Sequence, residues 1–213
     1  EPDIEGARLV IESVLAERRR TLTEMESKTL LSAFHVPVTQ TVLARTANEA
    51  MMIATQLGFP VALKIDSPDI LHKTDVGGVV LNLETPEAVR QAYADIQARV
   101  RDRRPDARLS GITVQPMIRR SNTRELMVGV VYDKVFGPLI SFGTGGVAVE
   151  VIADREVALP PLNEFLVSNM IRRTRASKML GEFRNMPPVN MEALQSLLLR
   201  VSELVCELPH IQE

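Results

Sequence analysis

The chain contains one cysteine, Cys206, no tryptophan, and only 4% aromatic residues. A lone cysteine closes no internal disulfide, which excludes the stapled framework of a small secreted domain. An excess of charge is missing as well: 25 Lys+Arg against 27 Asp+Glu leave a formal −2, which argues against a protein that grips phosphate backbones, so no nucleic-acid partner is expected. The longest uncharged run, Val135 to Val149, is interrupted by Gly137, Pro138, Gly143, Gly145 and Gly146 and falls short of the ~20 apolar residues a membrane-spanning helix needs. The start, Glu1-Pro2-Asp3, lacks the basic-then-apolar order of a secretion signal, so a cytoplasmic location is expected. It also lacks an initiating Met, and the chain is expected to be part of something longer. His35 and His210 have no Cys or Asp at ligand spacing, which speaks against zinc, and Cys206 in an amphipathic stretch reads as a packing residue. No G-x-S-x-G, H-E-x-x-H or P-loop pattern occurs.

What is present is an ordinary globular composition: 213 residues, 45% hydrophobic and 24% charged, enough for one large or two small domains. Thr23-x-x-Glu26 and Thr46-x-x-Glu49 fit the capping box and predict two early helices, the second ending at Gly58. Val36 to Val38, Val61 to Ile65, Val79 to Leu83 and Ile112 to Gln115 read as strands. Thr85-Pro86 opens a third helix, in which Val89, Tyr93, Ile96 and Val100 recur at helical spacing. After Pro116, three strand-like runs, Leu126 to Tyr132, Phe136 to Phe142 and Val147 to Ile152, imply an antiparallel meander. Helices return near 163–171 and 175–181 and from Asn190 to Leu208, the last with an apolar stripe from Leu194 to Leu208. The expected architecture is α/β in the broad sense, two-lobed: a helix or linker over 1–19, an α/β lobe over 20–115, and an antiparallel-sheet lobe with helices over 116–213. The Arg-rich stretches Arg18 to Arg20 and Arg99 to Arg104 read as solvated helix faces.

Three features stand out chemically. Lys64 interrupts an apolar strand and needs an anion or carboxylate, or else snorkels to water. The loop Ser67 to Gly78 carries His72, Lys73, Gly77 and Gly78; glycine N–H groups and a lysine suit phosphate oxygens, and an imidazole offers a nucleophilic nitrogen, but the same residues suit a simple chain reversal. Glu125 and Glu150 stand on or beside strands of one small sheet, where carboxylates hold ribose hydroxyls, a basic side chain or Mg²⁺, or pair at the surface. Gly145 and Gly146 between them fit a phosphate loop or tight strand packing.

Taken together, Val61-Ala62-Leu63-Lys64, the run Ser67-Pro68-Asp69-Ile70-Leu71-His72-Lys73-Thr74-Asp75-Val76-Gly77-Gly78-Val79, Arg124-Glu125-Leu126-x-Val128-Gly129 and Phe136-Gly137-Pro138 through Gly145-Gly146 resemble the ATP-grasp domain of NDP-forming acyl-CoA synthetases. The resemblance runs from about residue 20 to the end. It implies ATP or ADP held between two lobes, with Lys64 and Lys73 at the phosphates, Gly77 and Gly78 in the phosphate cradle, the backbone of Gln115, Pro116 and Met117 facing the adenine, and Glu125 on the ribose side. His72 would be a phosphohistidine relay serving a separate CoA-binding, CoA-ligase module. Mg²⁺ is implied too, with ligands expected beyond Glu213, so that no metal site is complete in the chain and the chain alone is expected to be inactive. The resemblance extends to a second branch, in which the domain is fused to a GNAT-type lysine acetyltransferase and serves as a nucleotide or acyl-CoA sensor without ligase turnover.

Overall fold

The computed structural model describes residues 1–119, 121–146 and 153–213. They divide into two compact units, one formed by Leu9–Ser32 and Pro37–Arg119, the other by Glu1–Arg8, Ala33–Val36 and the residues after Arg119. The N-terminal stretch forms helix α1 (Ile4–Ala16).

In the first unit, α2 (Glu24–Ala33) begins with the expected capping box: Thr23 Oγ1 accepts the Glu26 N–H at 3.2 Å, and Glu26 Oε2 accepts the Thr23 N–H at 2.7 Å. There follow β1 (Val42–Ala44), α3 (Ala47–Leu57), β2 (Val61–Asp66), β3 (Val79–Leu83), α4 (Pro86–Arg103) and β4 (Gly111–Pro116). Thr46 and Thr85 cap α3 and α4 through their side chains, and α3 stops at Gly58, whose φ is 90°. The strands make one antiparallel sheet in the order β1-β4-β2-β3. The strand expected at Val36 to Val38 does not form; Pro37 has no N–H to give to a ladder, and the first strand is Val42–Ala44 instead. Inner strand β2 buries Val61, Ala62, Leu63 and Ile65, and the helical stripe Val89, Tyr93, Ile96, Val100 joins the same core with Ile112 and Val114. Burial of such side chains, worth about 1.5–3 kcal/mol each, fixes the sheet against α3 and α4. Lys64 is the one position of β2 that is not buried.

In the second unit, β5 (Leu126–Asp133), β6 (Gly137–Thr144) and β7 (Arg155–Ala158) form an antiparallel sheet in chain order. Asp133 Oδ1 accepts the N–H groups of Val135 and Phe136 and so closes the β5–β6 turn. The run Val147 to Ile152, expected as the third strand, lies outside the described residues. Helices α5 (Glu164–Arg173), α6 (Ser177–Leu180) and α7 (Met191–Glu207) complete the unit. Leu194, Leu198, Val201, Leu204, Val205 and Leu208 are buried along and just past α7, whereas Cys206 is exposed and does not pack. Among the described residues no helix is long and apolar enough to cross a membrane.

Candidate functional site

The site in the first unit is built around a residue that sequence reasoning passed over. Glu24 is the first residue of α2, and the capping box around it is braced by Arg19, which donates to Glu26 Oε1 at 2.6 Å and Oε2 at 3.0 Å. The Arg19 side chain is only 10% exposed, so this part of Arg18 to Arg20 is a buried brace rather than a solvated face. From that fixed backbone the Glu24 carboxylate receives two lysines, one on each oxygen: Lys64 Nζ at 2.9 Å on Oε1 and Lys73 Nζ at 2.9 Å on Oε2. Lys28, one helical turn on, adds a third ammonium at 3.5 Å from Oε1 and donates to Thr41 Oγ1 at 2.5 Å and to Gln115 Oε1 at 3.2 Å.

The electrostatics follow from this geometry. Burial alone would raise the pKa of Glu24, but the hydrogen bonds and charges of Lys64 and Lys73 overcome it and hold the carboxyl at about 2. Burial lowers the pKa of Lys28, against the attraction of Glu24 and with the help of the two other lysines. Three ammonium groups around one carboxylate leave a net excess of positive charge in a half-buried seat, which is the arrangement a polyanion needs. Beside it, a cavity of about 50 Å³ is lined by Thr21, Thr23, Glu24, Asp66, Ser67 and Lys73, among others. Asp66 is 6% exposed, burial raises its pKa, and its Oδ1 has no hydrogen-bond partner among the described residues.

The loop after β2 is folded on itself and clamped. Gly77 N donates to Thr74 O at 3.0 Å and Gly78 N to Lys73 O at 2.8 Å, so the glycine N–H groups expected to cradle phosphate are engaged in the loop's own turn. Gly77 has φ +67°, and a Cβ on Gly78 would collide with Ile65 Cγ2. Arg99 donates to Gly77 O at 3.1 Å and Arg103 to Asp75 O at 2.9 Å; the Arg-rich end of α4 therefore grips the loop instead of merely facing water. Asp69 is held by Arg108 through Nη2 at 2.9 Å, Nε at 3.1 Å and the backbone N–H at 2.7 Å. His72 is exposed on this loop, next to Lys73. Pro116 lies opposite Val61 at the end of the β2–β4 ladder, and the Met117 N–H donates to Pro60 O at 2.9 Å.

The second unit brings together another part of the expected set. Gly145 N donates to Glu125 O at 2.9 Å, a Cβ on Gly145 would lie 2.8 Å from the Leu126 carbonyl carbon, and Gly146, with φ +75°, packs against the Glu125 side chain. Glu150 lies outside the described residues. Arg124 is fixed by donating to Met179 O at 2.8 Å and Gly181 O at 3.1 Å. Among the described residues no three His, Cys, Asp or Glu side chains gather as a metal-holding group.

The sequence profile described as the ATP-grasp domain matches residues 13–213. The chain belongs to the ATP-grasp family. It is 39% identical over 207 residues to the acetate–CoA ligase [ADP-forming] I subunit beta of Pyrococcus furiosus, covering 97% of this chain and 88% of the relative. The crystal structure of PH1788 from Pyrococcus horikoshii superposes with a TM-score of 0.89 at 38% identity, covering 96% of this chain and 85% of that one. The dinucleotide forming acetyl-coenzyme A synthetase 1 of Ca. Korarchaeum cryptofilum, solved with coenzyme A and Mg-AMPPCP and with its phosphohistidine segment pointing towards the nucleotide binding site, superposes with a TM-score of 0.79 at 36% identity, covering 93% and 84%. Within the ATP-grasp family the chain is thus related to ADP-forming acid–CoA ligases. The reading as a sensor fused to an acetyltransferase finds no support in these similarities.

Proposed function

We propose that this chain is the nucleotide-handling part of an ADP-forming acyl-CoA synthetase, in which a phosphoryl group passes between ATP or ADP and His72. The observation that carries this reading is the convergence of Lys64, Lys73 and Lys28 on one carboxylate beside the loop that bears His72. An anion is already seated there, supplied by the protein, and a triphosphate is a stronger ligand for the ammonium groups of Lys64 and Lys28. Gln115, fixed by Lys28, and the strand end through Pro116 and Met117 would border the base; Glu125, with Gly145 and Gly146 against it, would serve the ribose side.

A ring nitrogen of His72 attacks the terminal phosphorus of ATP, the bond from that phosphorus to the bridging oxygen breaks, and ADP leaves with the electron pair. The reverse step regenerates ATP. Lys64 would neutralise the charge on the moving group, and Mg²⁺, when bound, supplies further neutralisation of the phosphates. The phosphoryl group on His72 would be delivered to a CoA-binding module of the same or a partner chain, in keeping with the beta-subunit standing of the Pyrococcus furiosus relative. A cytoplasmic setting fits the single free cysteine.

Incubating the intact protein with ATP labelled at the terminal phosphate should give an acid-labile, base-stable label on His72. A His72→Gln variant labelled as strongly as wild type overturns the reading.

A further inference from the structure

The loop bearing His72 is fastened unevenly. Its two ends are clamped by arginines: Asp69 by Arg108 at one side, and the carbonyls of Asp75 and Gly77 by Arg103 and Arg99 at the other. Between the clamps Leu71 and His72 are exposed. The side-chain tether next to His72 is Lys73, whose Nζ reaches Glu24 Oε2 at 2.9 Å. The other oxygen of the same carboxylate binds Lys64 at 2.9 Å. One rigidly based carboxylate therefore joins the strand lysine to the loop that bears His72.

We propose that Glu24 is a positioning residue for the His72 segment, holding it through Lys73 and loosening it when an anionic phosphate takes Lys64 from the same carboxylate. The second half rests on the reading that Lys64 receives the phosphates of the nucleotide. The physical reason is charge competition at short range. A phosphate placed on Lys64 stands next to Glu24, and two like charges sharing one ammonium in a half-buried site repel strongly. Glu24 cannot retreat by shifting α2, because the capping box and Arg19 pin its backbone. Only its side chain can turn away, and that turn withdraws the acceptor from Lys73. The arginine clamps act on backbone carbonyls and on Asp69, so they keep the ends in place while the stretch around His72 is released.

The amide of Gly78, which donates to Lys73 O, and that of Gly77, which donates to Thr74 O, report on this stretch directly. Hydrogen exchange at these two amides is measured on the intact protein without nucleotide. In Glu24→Gln it should be about tenfold faster than in wild type, the scale of one lost charge-assisted hydrogen bond, while exchange in the β2–β4 ladder stays unchanged. Lys73→Gln should speed the same amides equally, and the double variant should go no further. Saturating AMPPCP should speed exchange at Gly77 and Gly78 in wild type and leave Glu24→Gln where it is, a response a merely structural carboxylate would not give. Equal exchange in wild type and Glu24→Gln, or acceleration spread evenly over the β2–β4 ladder, overturns the proposal. So does protection of the loop by AMPPCP in both proteins. Calorimetry with AMPPCP separates the two readings: absence of binding by wild type removes the nucleotide reading, while the nucleotide-free comparison still decides whether Glu24 holds the segment.

Discussion

Lys64 Nζ lies 2.9 Å from Glu24 Oε1, so the one lysine of an otherwise buried strand is matched by a carboxylate from the start of α2. Replacing Lys64 by Met removes one of three ammonium groups and does not strand Glu24, which keeps Lys73 at 2.9 Å and Lys28 at 3.5 Å. Stability should fall by only about 1 kcal/mol, whereas affinity for ATP should fall at least about tenfold. Thermal melting and isothermal calorimetry read the two effects separately. A stability loss of about 3–5 kcal/mol, the cost of an uncompensated buried charge, would mean that the other two lysines do not share the carboxylate.

The same cluster sets a pH dependence. Burial pushes the Glu24 carboxyl up, but Lys64 and Lys73 bring it to about 2, below the ordinary glutamate value of about 4.3. A folded-state pKa below the unfolded one stabilises the fold wherever the carboxylate is ionised. That contribution is fully present above about pH 4.3 and is lost as the pH falls toward 2. Screening of a partly exposed group reduces it to about 1–2 kcal/mol. Urea unfolding at pH 7 and near pH 2.5 should show Glu24→Gln losing less stability than wild type over that window; parallel curves would contradict the assignment.

Lys64 and Lys73 could be read from the chain because each breaks a local pattern, a cation in an apolar strand and a cation in a glycine-ended loop. Glu24 and Lys28 broke nothing. On an exposed helix, glutamate and lysine four residues apart are ordinary, and only the folded chain brings the start of α2 to Lys64 in the middle of β2. The helices were legible where caps stood at their starts: Thr23, Thr46 and Thr85 each accept the N–H three residues on. The short strand Val42–Ala44 was not, because three residues carry too little alternation, and the apolar pair around Pro37 drew the assignment away. The loop glycines stand out in the sequence with two readings, a phosphate cradle or a chain reversal; in the fold their N–H groups close a turn, and Gly78 leaves room for Ile65.

That last contact predicts a steric effect at a single position. A methyl on Gly78 would run into Ile65 Cγ2 and stand 3.0 Å from the Lys73 carbonyl oxygen, and Ile65 is 1% exposed, with little space to yield into. Gly78→Ala should cost about 1–3 kcal/mol and lower the melting temperature. Ile65→Ala removes that Cγ2, so the cost of Gly78→Ala should be smaller in the Ile65→Ala background than in the wild-type one. An unchanged melting temperature in Gly78→Ala would show that the loop sits elsewhere in solution.

Asp66 predicts the opposite sign. It is 6% exposed, its Oδ1 has no hydrogen-bond partner among the described residues, and burial pushes its carboxyl up, against the pull of the Lys73 charge. A folded-state pKa above the unfolded one means that the ionised form is the costly one. The cost is present at neutral pH and disappears as falling pH protonates the group. Asp66→Asn removes the charge without changing the shape, so it should stabilise the protein at pH 7 by on the order of 1 kcal/mol. That gain should shrink on acidification as wild-type Asp66 takes up its proton. The measurement is a pair of denaturant curves at pH 7 and in mild acid. If Asp66→Asn is instead the less stable protein at pH 7, the attraction of Lys73 outweighs burial, and the lysine then answers to two carboxylates rather than to Glu24 alone.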